Sequence, residues 1–216
     1  MTPNASLALL LIALGMAADP VSPPPAPPAP HFRLTLLRSP PGLEESWADA
    51  INESGQIVGR VQSPVAAPLG LHAAFWDDGA DAPVLATGPG ADLALPADID
   101  AAGLVIGAAA PSHGTAKPFS WLPGQDLELI DLARAEDESF QGLNTHGAVV
   151  GLGAPVAGRD PLPYLFVGDA AHELALVPGD ETGAALAISD EGWIVGFSGD
   201  EAARWHQGVV ERLSFP

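Results

Sequence analysis

The side chains best placed for chemistry in this sequence are carboxylates at turns. Asp98 and Asp100 stand two apart, a spacing that points both to one side of a strand, and with Gly103 they read D-x-D-x-x-G. That is part of a calcium-loop pattern, and Ser189-Asp190-Glu191-Gly192 is a weaker echo of it. Calcium takes about six to eight oxygen ligands, whereas the companion turns offer only Asn52-Glu53 and Asn144-Thr145. Asp98 and Asp100 are therefore the candidate metal ligands, with ordinary hairpin turns as the competing reading. Glu136, Asp137 and Glu138 are candidate paired carboxylates for glycoside hydrolysis, which needs two acids held roughly 5–9.5 Å apart. Three adjacent acids in so acidic a chain read more simply as a solvated loop.

Other chemistries fail on spacing. The histidines at 31, 72, 113, 146, 172 and 206 form no metal-ligand pair, and His172-Glu173 lacks the second histidine of H-E-x-x-H. Gly196-Phe197-Ser198-Gly199 has Asp200 where a G-x-S-x-G nucleophile elbow requires glycine. There is no cysteine, so thiol nucleophiles, disulfides and Cys-ligated zinc are excluded. No catalytic or cofactor-binding residue is assigned.

Charge narrows the partners. Eight Lys and Arg face 27 Asp and Glu, a net charge of −19, and no basic stripe exists to displace counterions from a phosphate backbone. Nucleic acid is an unsuitable partner, and an extracellular glycan or protein is the expected ligand class.

The elements that position these residues come from an internal repeat. Ala50–Gly59 (AINESGQIVG), Asp98–Gly107 (DIDAAGLVIG), Gly142–Gly151 (GLNTHGAVVG) and Ala187–Gly196 (AISDEGWIVG) are four copies of one segment, with closing glycines 48, 44 and 45 residues apart. A second signature ends at Trp76, Trp121, Phe166 and Trp205 and keeps the same beat. In the first signature a short polar residue (Asn52, Asp100, Asn144, Ser189) precedes a glycine by three positions (Gly55, Gly103, Gly147, Gly192). This is the chemistry of a three-residue hairpin loop, in which the polar side chain caps backbone N–H groups and the glycine takes positive φ. The following strand is apolar at consecutive positions, as in Ile57-Val58 and Trp193-Ile194-Val195, a pattern of cover on both faces. The aromatic signature makes a third strand, and its fixed place assigns Trp76, Trp121, Phe166 and Trp205 to the core between repeats rather than to a sugar-binding surface. A fourth strand is expected at Pro83-Val84-Leu85, Leu127–Ile130, Leu174-Ala175-Leu176 and Val209–Leu213. Four strands in about 45 residues is the arithmetic of a propeller blade. The expected fold is all-β, a β-propeller-like domain of about four small four-stranded blades over residues 31–216, with repeats near 45–89, 90–137, 138–180 and 181–216. An extra strand at Phe32–Leu37 resembles a fourth strand and either closes the ring or caps an edge. An open stack, a ring completed by dimerisation and a β-sandwich are the architectural rivals.

The pattern A-I-N-x-x-G-x-I-V-G, followed by an A-F-x-W-like strand and a glycine turn, resembles the HAF family of bacterial extracellular repeat proteins. The resemblance covers residues 31–216. It implies export and a propeller-like repeat domain, and brings no catalytic residues.

Upstream, Leu7–Leu14 is an apolar run too short to span a bilayer, and Gly15 and Ala17 follow in the small-x-small pattern of a signal-peptidase site. Residues 1–17 are expected to be a signal peptide cleaved after Ala17, leaving no transmembrane segment and a secreted or periplasmic chain. Residues 18–30 form a Pro-rich linker, with seven prolines in the eleven residues from Pro20 to Pro30. Polyproline II makes it a stiff spacer, with recognition by an aromatic groove as the alternative. The expected function is an exported, non-catalytic β-repeat binding or structural module. A secreted hydrolase acting on a glycan through loop carboxylates, and a calcium-stabilised adhesin, are the alternatives.

Overall fold

The structure is a computed structural model that describes residues 34–43, 45–62, 70–77, 82–91, 93–110, 116–130, 136–154, 160–168 and 170–213. The expected signal peptide and Pro-rich linker lie outside the described residues. Every regular element among those described is a β-strand.

Sixteen strands form four antiparallel sheets, each of four strands in simple sequence order. The first sheet holds β1 (Glu45–Ile51), β2 (Ile57–Gln62), β3 (Leu71–Trp76) and β4 (Val84–Leu85). The second holds β5 (Ala94–Ile99), β6 (Val105–Ala109), β7 (Lys117–Trp121) and β8 (Glu128–Leu129). The third holds β9 (Glu136–Leu143), β10 (Ala148–Ala154), β11 (Leu162–Val167) and β12 (Ala170–Glu173). The fourth holds β13 (Gly183–Ile188), β14 (Ile194–Ser198), β15 (Glu201–His206) and β16 (Val209–Arg212).

Three expectations need correction. The fourth strand of the third sheet is Ala170–Glu173 rather than Leu174-Ala175-Leu176. The turn glycine Gly168 arrives one residue early in this copy, so Val167 pairs at once with Ala170 and the ladder is nearly complete when Leu174 is reached. Glu136, Asp137 and Glu138 are not a loop, because their backbone opens β9. Leu34–Leu37 forms no strand. Instead Leu37 and Leu43 pack irregularly against Trp76, Val61 and Ala74 on the outer side of the first sheet. The Trp76 indole N–H donates to the Arg38 carbonyl at 2.9 Å, tying this cover down.

Each sheet packs on the next through its second strand. The pairs β2 with β5, β6 with β9, and β10 with β13 are in contact, as are the successive first strands β1, β5, β9 and β13. No comparably extensive packing joins β1 to β13 or β14 among the described residues. Three of the four repeated aromatics, Trp121, Phe166 and Trp205, fill these seams. Val58 and Phe75 of the first sheet meet Ile99, Val105 and Trp121 of the second. Ile106 of the second meets Phe140, Leu143 and Phe166 of the third, and Val150 of the third meets Ile194 and Trp205 of the fourth. Trp121, Phe166 and Trp205 lie in the core between repeats as expected, whereas Trp76 is buried on the outer side of the first sheet under Leu37 and Leu43.

The closing glycines have a shared cause. In all four sheets the first strand carries a bulge opposite the closing glycine, at Ala48/Ala50, Pro96/Asp98, Phe140/Gly142 and Ala185/Ala187. The bulge bends the first strand inward. A Cβ on Gly59, Gly107, Gly151 or Gly196 would overlap the carbonyl oxygen of Trp47, Leu95, Ser139 or Ala184 respectively. Only glycine lets the two backbones approach this closely. Gly151→Ala should therefore lower stability by roughly 1–3 kcal/mol or more, read as a fall in the urea midpoint at unchanged slope. An unchanged midpoint would mean the strand pair relaxes without cost.

Candidate functional site

The four hairpin turns between first and second strands are built alike. Asn52 Oδ1 accepts from the Ser54 and Gln56 N–H groups at 3.1 and 3.0 Å. Asp100 Oδ1 accepts from Ala102 and Leu104, both at 2.8 Å. Asn144 Oδ1 accepts from His146 and Ala148 at 3.1 and 3.0 Å. Ser189 Oγ is 3.3 Å from the Trp193 N–H it accepts. The turn glycines Gly55, Gly103, Gly147 and Gly192 all lie near φ +80° (+78°, +86°, +76°, +79°), closing a three-residue loop as the sequence predicted.

The same side chains reach the next sheet. Asn52 Nδ2 donates to the Asp100 carbonyl at 2.8 Å, and Asn144 Nδ2 to the Ser189 carbonyl at 3.1 Å. Asp100 occupies the equivalent place but carries no N–H to donate. Asp98 makes that link by the opposite polarity, accepting the Leu143 N–H at 3.1 Å through Oδ2 while Oδ1 takes the N–H of Ile99 at 2.9 Å. Asp190 accepts from the Thr145 N–H at 3.0 Å and reinforces the third seam.

Together the turns border one depression of about 320 Å³, lined by the polar Asn52, Glu53, Asp100, Asn144, Thr145, Ser189 and Asp190 and by the apolar Ile51, Ile99, Leu143 and Ile188. Burial pushes the Asp98 carboxyl above its ordinary value, a rise opposed by the two N–H groups and assisted by Asp100. Asp190 is held below its ordinary value, first by the Thr145 N–H. Chemically the depression is an acceptor-rich, negatively charged mouth whose members already serve backbone amides. Asp98 and Asp100 do not converge on a shared vacancy: Asp98 faces the third sheet and Asp100 caps its own turn. Among the described residues no three His, Cys, Asp or Glu side chains are grouped as a metal site requires. The side chains of Glu136, Asp137 and Glu138 lie outside the described residues.

Two clusters were not read from the sequence. Ser198 is fully buried on β14, where its hydroxyl donates to Asp180 at 2.7 Å and accepts the Val177 N–H at 3.0 Å. The Ser198 hydroxyl, with Arg212 beside it, lowers the Asp180 pKa. The serine of the failed elbow motif is thus a structural clasp. Just before β14, the Trp193 ring stacks on His206 of β15 at 3.9 Å between centroids, and Arg204 lies 5.0 Å from the same ring. Cross-strand register alone brings these residues together, and a single sequence displays that pairing only after the hairpin is known.

No protein-family profile matches this chain, and no curated protein matches it in sequence. Among solved structures, TolB from Acinetobacter baumannii, a β-propeller protein, matches with a TM-score of 0.59 at 14% identity, over 79% of this chain and 43% of TolB. The fold is an all-β, propeller-like repeat domain. Its four sheets are blades, and the chain spans less than half the length of the TolB structure.

The blade-to-blade links define a measurable asymmetry. Asp98→Ala leaves the Leu143 and Ile99 N–H groups without their acceptor and should cost about 1–3 kcal/mol. A raised carboxyl pKa means the folded chain binds the proton more tightly than the unfolded one, so this contribution to stability falls as pH rises from 3.8 through the folded value. Asp180 has the opposite sign: its contribution is present above 3.8 and is lost as pH falls below it. Thermal midpoints across pH should show the first trend flattened in Asp98→Asn and the second in Asp180→Asn. Unaltered profiles would show that neither carboxyl changes its proton affinity on folding.

Proposed function

We propose that this chain is an exported, non-catalytic β-repeat module of the bacterial cell envelope or extracellular space, related to the HAF repeat proteins, which binds or holds an extracellular glycan or protein. The observation that carries this reading is the use to which the recurring polar positions of the repeat are put. Asn52, Asp98, Asp100, Asn144 and Ser189 serve turn amides and blade-to-blade links, and Ser198 clasps Asp180. A general acid or nucleophile must be open to substrate and matched in pKa to its task. These groups are committed to backbone. Export is supported by the Leu7–Leu14 run and the Gly15-Met16-Ala17 pattern after it. No helix among the described residues is long and apolar enough to cross a membrane.

The test is thermal unfolding of the purified chain in millimolar calcium and in chelator, beside turnover assays on polysaccharides and esters. The midpoint should shift by less than about 1 °C and no turnover should appear. Calcium at 100 times its dissociation constant would add about 2.7 kcal/mol to the folded state. A rise of several degrees would move the assignment to a calcium-stabilised adhesin with Asp98 and Asp100 as ligands. Turnover abolished by substituting one acid among Glu136, Asp137 and Glu138 would make the protein a hydrolase.

A further inference from the structure

We propose that the depression ringed by the four hairpin turns is the seat of a basic side chain, lysine or arginine, presented by a partner protein. The inference rests on the reading of this chain as a binding module and names the place and chemistry of that binding. The cup is built from the same three consecutive positions of every turn. The first is always aliphatic: Ile99 and Leu143 are buried, Ile188 is half-buried and Ile51 is exposed, which gives the cup an apolar floor still partly open to solvent. The second is the capping residue that holds each turn. The third is Glu53, Ala101, Thr145 or Asp190, all four exposed on the rim. The copies agree at the first position, where the fold needs apolar surface, and diverge at the third, where it does not.

Charge complementarity and the lining together select the occupant. Glu53, Asp100 and Asp190 put three carboxylates around the mouth, and no lysine or arginine lines it. Asp100 gives only Oδ1 to the amides of its own turn, and the Thr145 N–H holds Asp190 in its ionised form. An anionic ligand is repelled by such a field. A bare metal ion lacks its ligand set, because the three acids stand on three different turns and no metal-binding group of side chains occurs among the described residues. A sugar finds no aromatic ring to stack on, since none lines the cup. The lining calls for a cation that also carries apolar surface. Lysine and arginine do so, because their methylene stems cover apolar surface while the charged head stays at the polar edge. Laid across the cup, such a side chain covers the aliphatic floor with its stem and brings its head among Glu53, Asp100 and Asp190. A volume of about 320 Å³ suits one side chain or a short segment rather than a larger body.

The experiment is a titration of the full chain with the peptide acetyl-Gly-Lys-Gly-amide to about 10 mM at low salt, read from backbone amide resonances. The amides of Glu53, Ala101, Thr145 and Asp190 should shift together and saturate, with a dissociation constant of about 1 mM, weakening as salt rises. The norleucine peptide, which keeps the stem without the charge, and the diaminopropionyl peptide, which keeps the charge on a short stem, should each bind about fivefold more weakly or worse. Glu53→Gln, Asp100→Asn and Asp190→Asn should each weaken the lysine peptide about two- to fivefold. The two asparagines keep an oxygen for the turn amides, so the fold is undisturbed. Ala101→Glu, which gives the second turn the carboxylate that the first carries at Glu53, should tighten binding by a similar factor. The absence of a saturable shift, equal binding of the short-stemmed cation, or indifference to all four substitutions would each overturn the proposal. A neutral trisaccharide that shifted these amides where the lysine peptide did not would also overturn it, yet would leave the binding module standing. Turnover, or stabilisation by calcium, would strike the module reading itself.

Discussion

Everything in this fold depends on how closely two backbones meet at one point in each repeat. The bulge in the first strand pushes a carbonyl toward the second, and the closing glycine offers no Cβ to resist it. That approach bends the hairpin so that the apolar residue just before the glycine, Val58, Ile106 or Val150, faces the next blade. It also leaves the residue after the bulge, Asp98 in the second blade, aimed at the neighbouring turn. A bulkier residue at Gly59, Gly107, Gly151 or Gly196 would therefore displace a turn and a seam along with one strand pair.

The seams combine two kinds of interaction with different jobs. Buried aromatic and branched side chains supply the driving force, at about 1.5–3 kcal/mol for each large side chain removed from water. Hydrogen bonds from the turns supply direction and register. Asn52 and Asn144 donate forward to the next turn, and Asp98 accepts from it. Blades so joined interact mainly with their neighbours, which makes the domain a short linear array whose stability is a sum of repeats and interfaces.

The repeat was legible in the sequence because its period, its turn residues and its aromatics are all local signals. Asn52, Asp100, Asn144 and Ser189 followed by glycine identified four turns, and the structure places all four in the same geometry. What the sequence concealed was cross-strand and cross-blade pairing. Asp98 and Asp100 look like partners at strand spacing, yet Asp100 stands at the hairpin turn and accepts that turn's own amides, while Asp98 reaches the Leu143 N–H of the next sheet. The early Gly168 was visible, but its effect on the strand after it depended on the ladder with β11. Leu37 was expected in a strand and instead works as an irregular plug, because cover for Trp76 needs apolar surface and one carbonyl rather than a ladder.

The indole hydrogen bonds divide the buried tryptophans into two kinds. Trp76 and Trp205 donate to carbonyls outside their own sheets, at Arg38 and Ala175, whereas Trp121 donates to Gln125 within its own hairpin. Emission from Trp76 and Trp205 is thus sensitive to the parting of one sheet from its cover, and emission from Trp121, buried in the first seam but tied to its own hairpin, to the parting of the first two sheets as well as to loss of that hairpin. The buried tryptophans are thus optical probes distributed along the array, one under the outer cover, one in the first seam and one in the last.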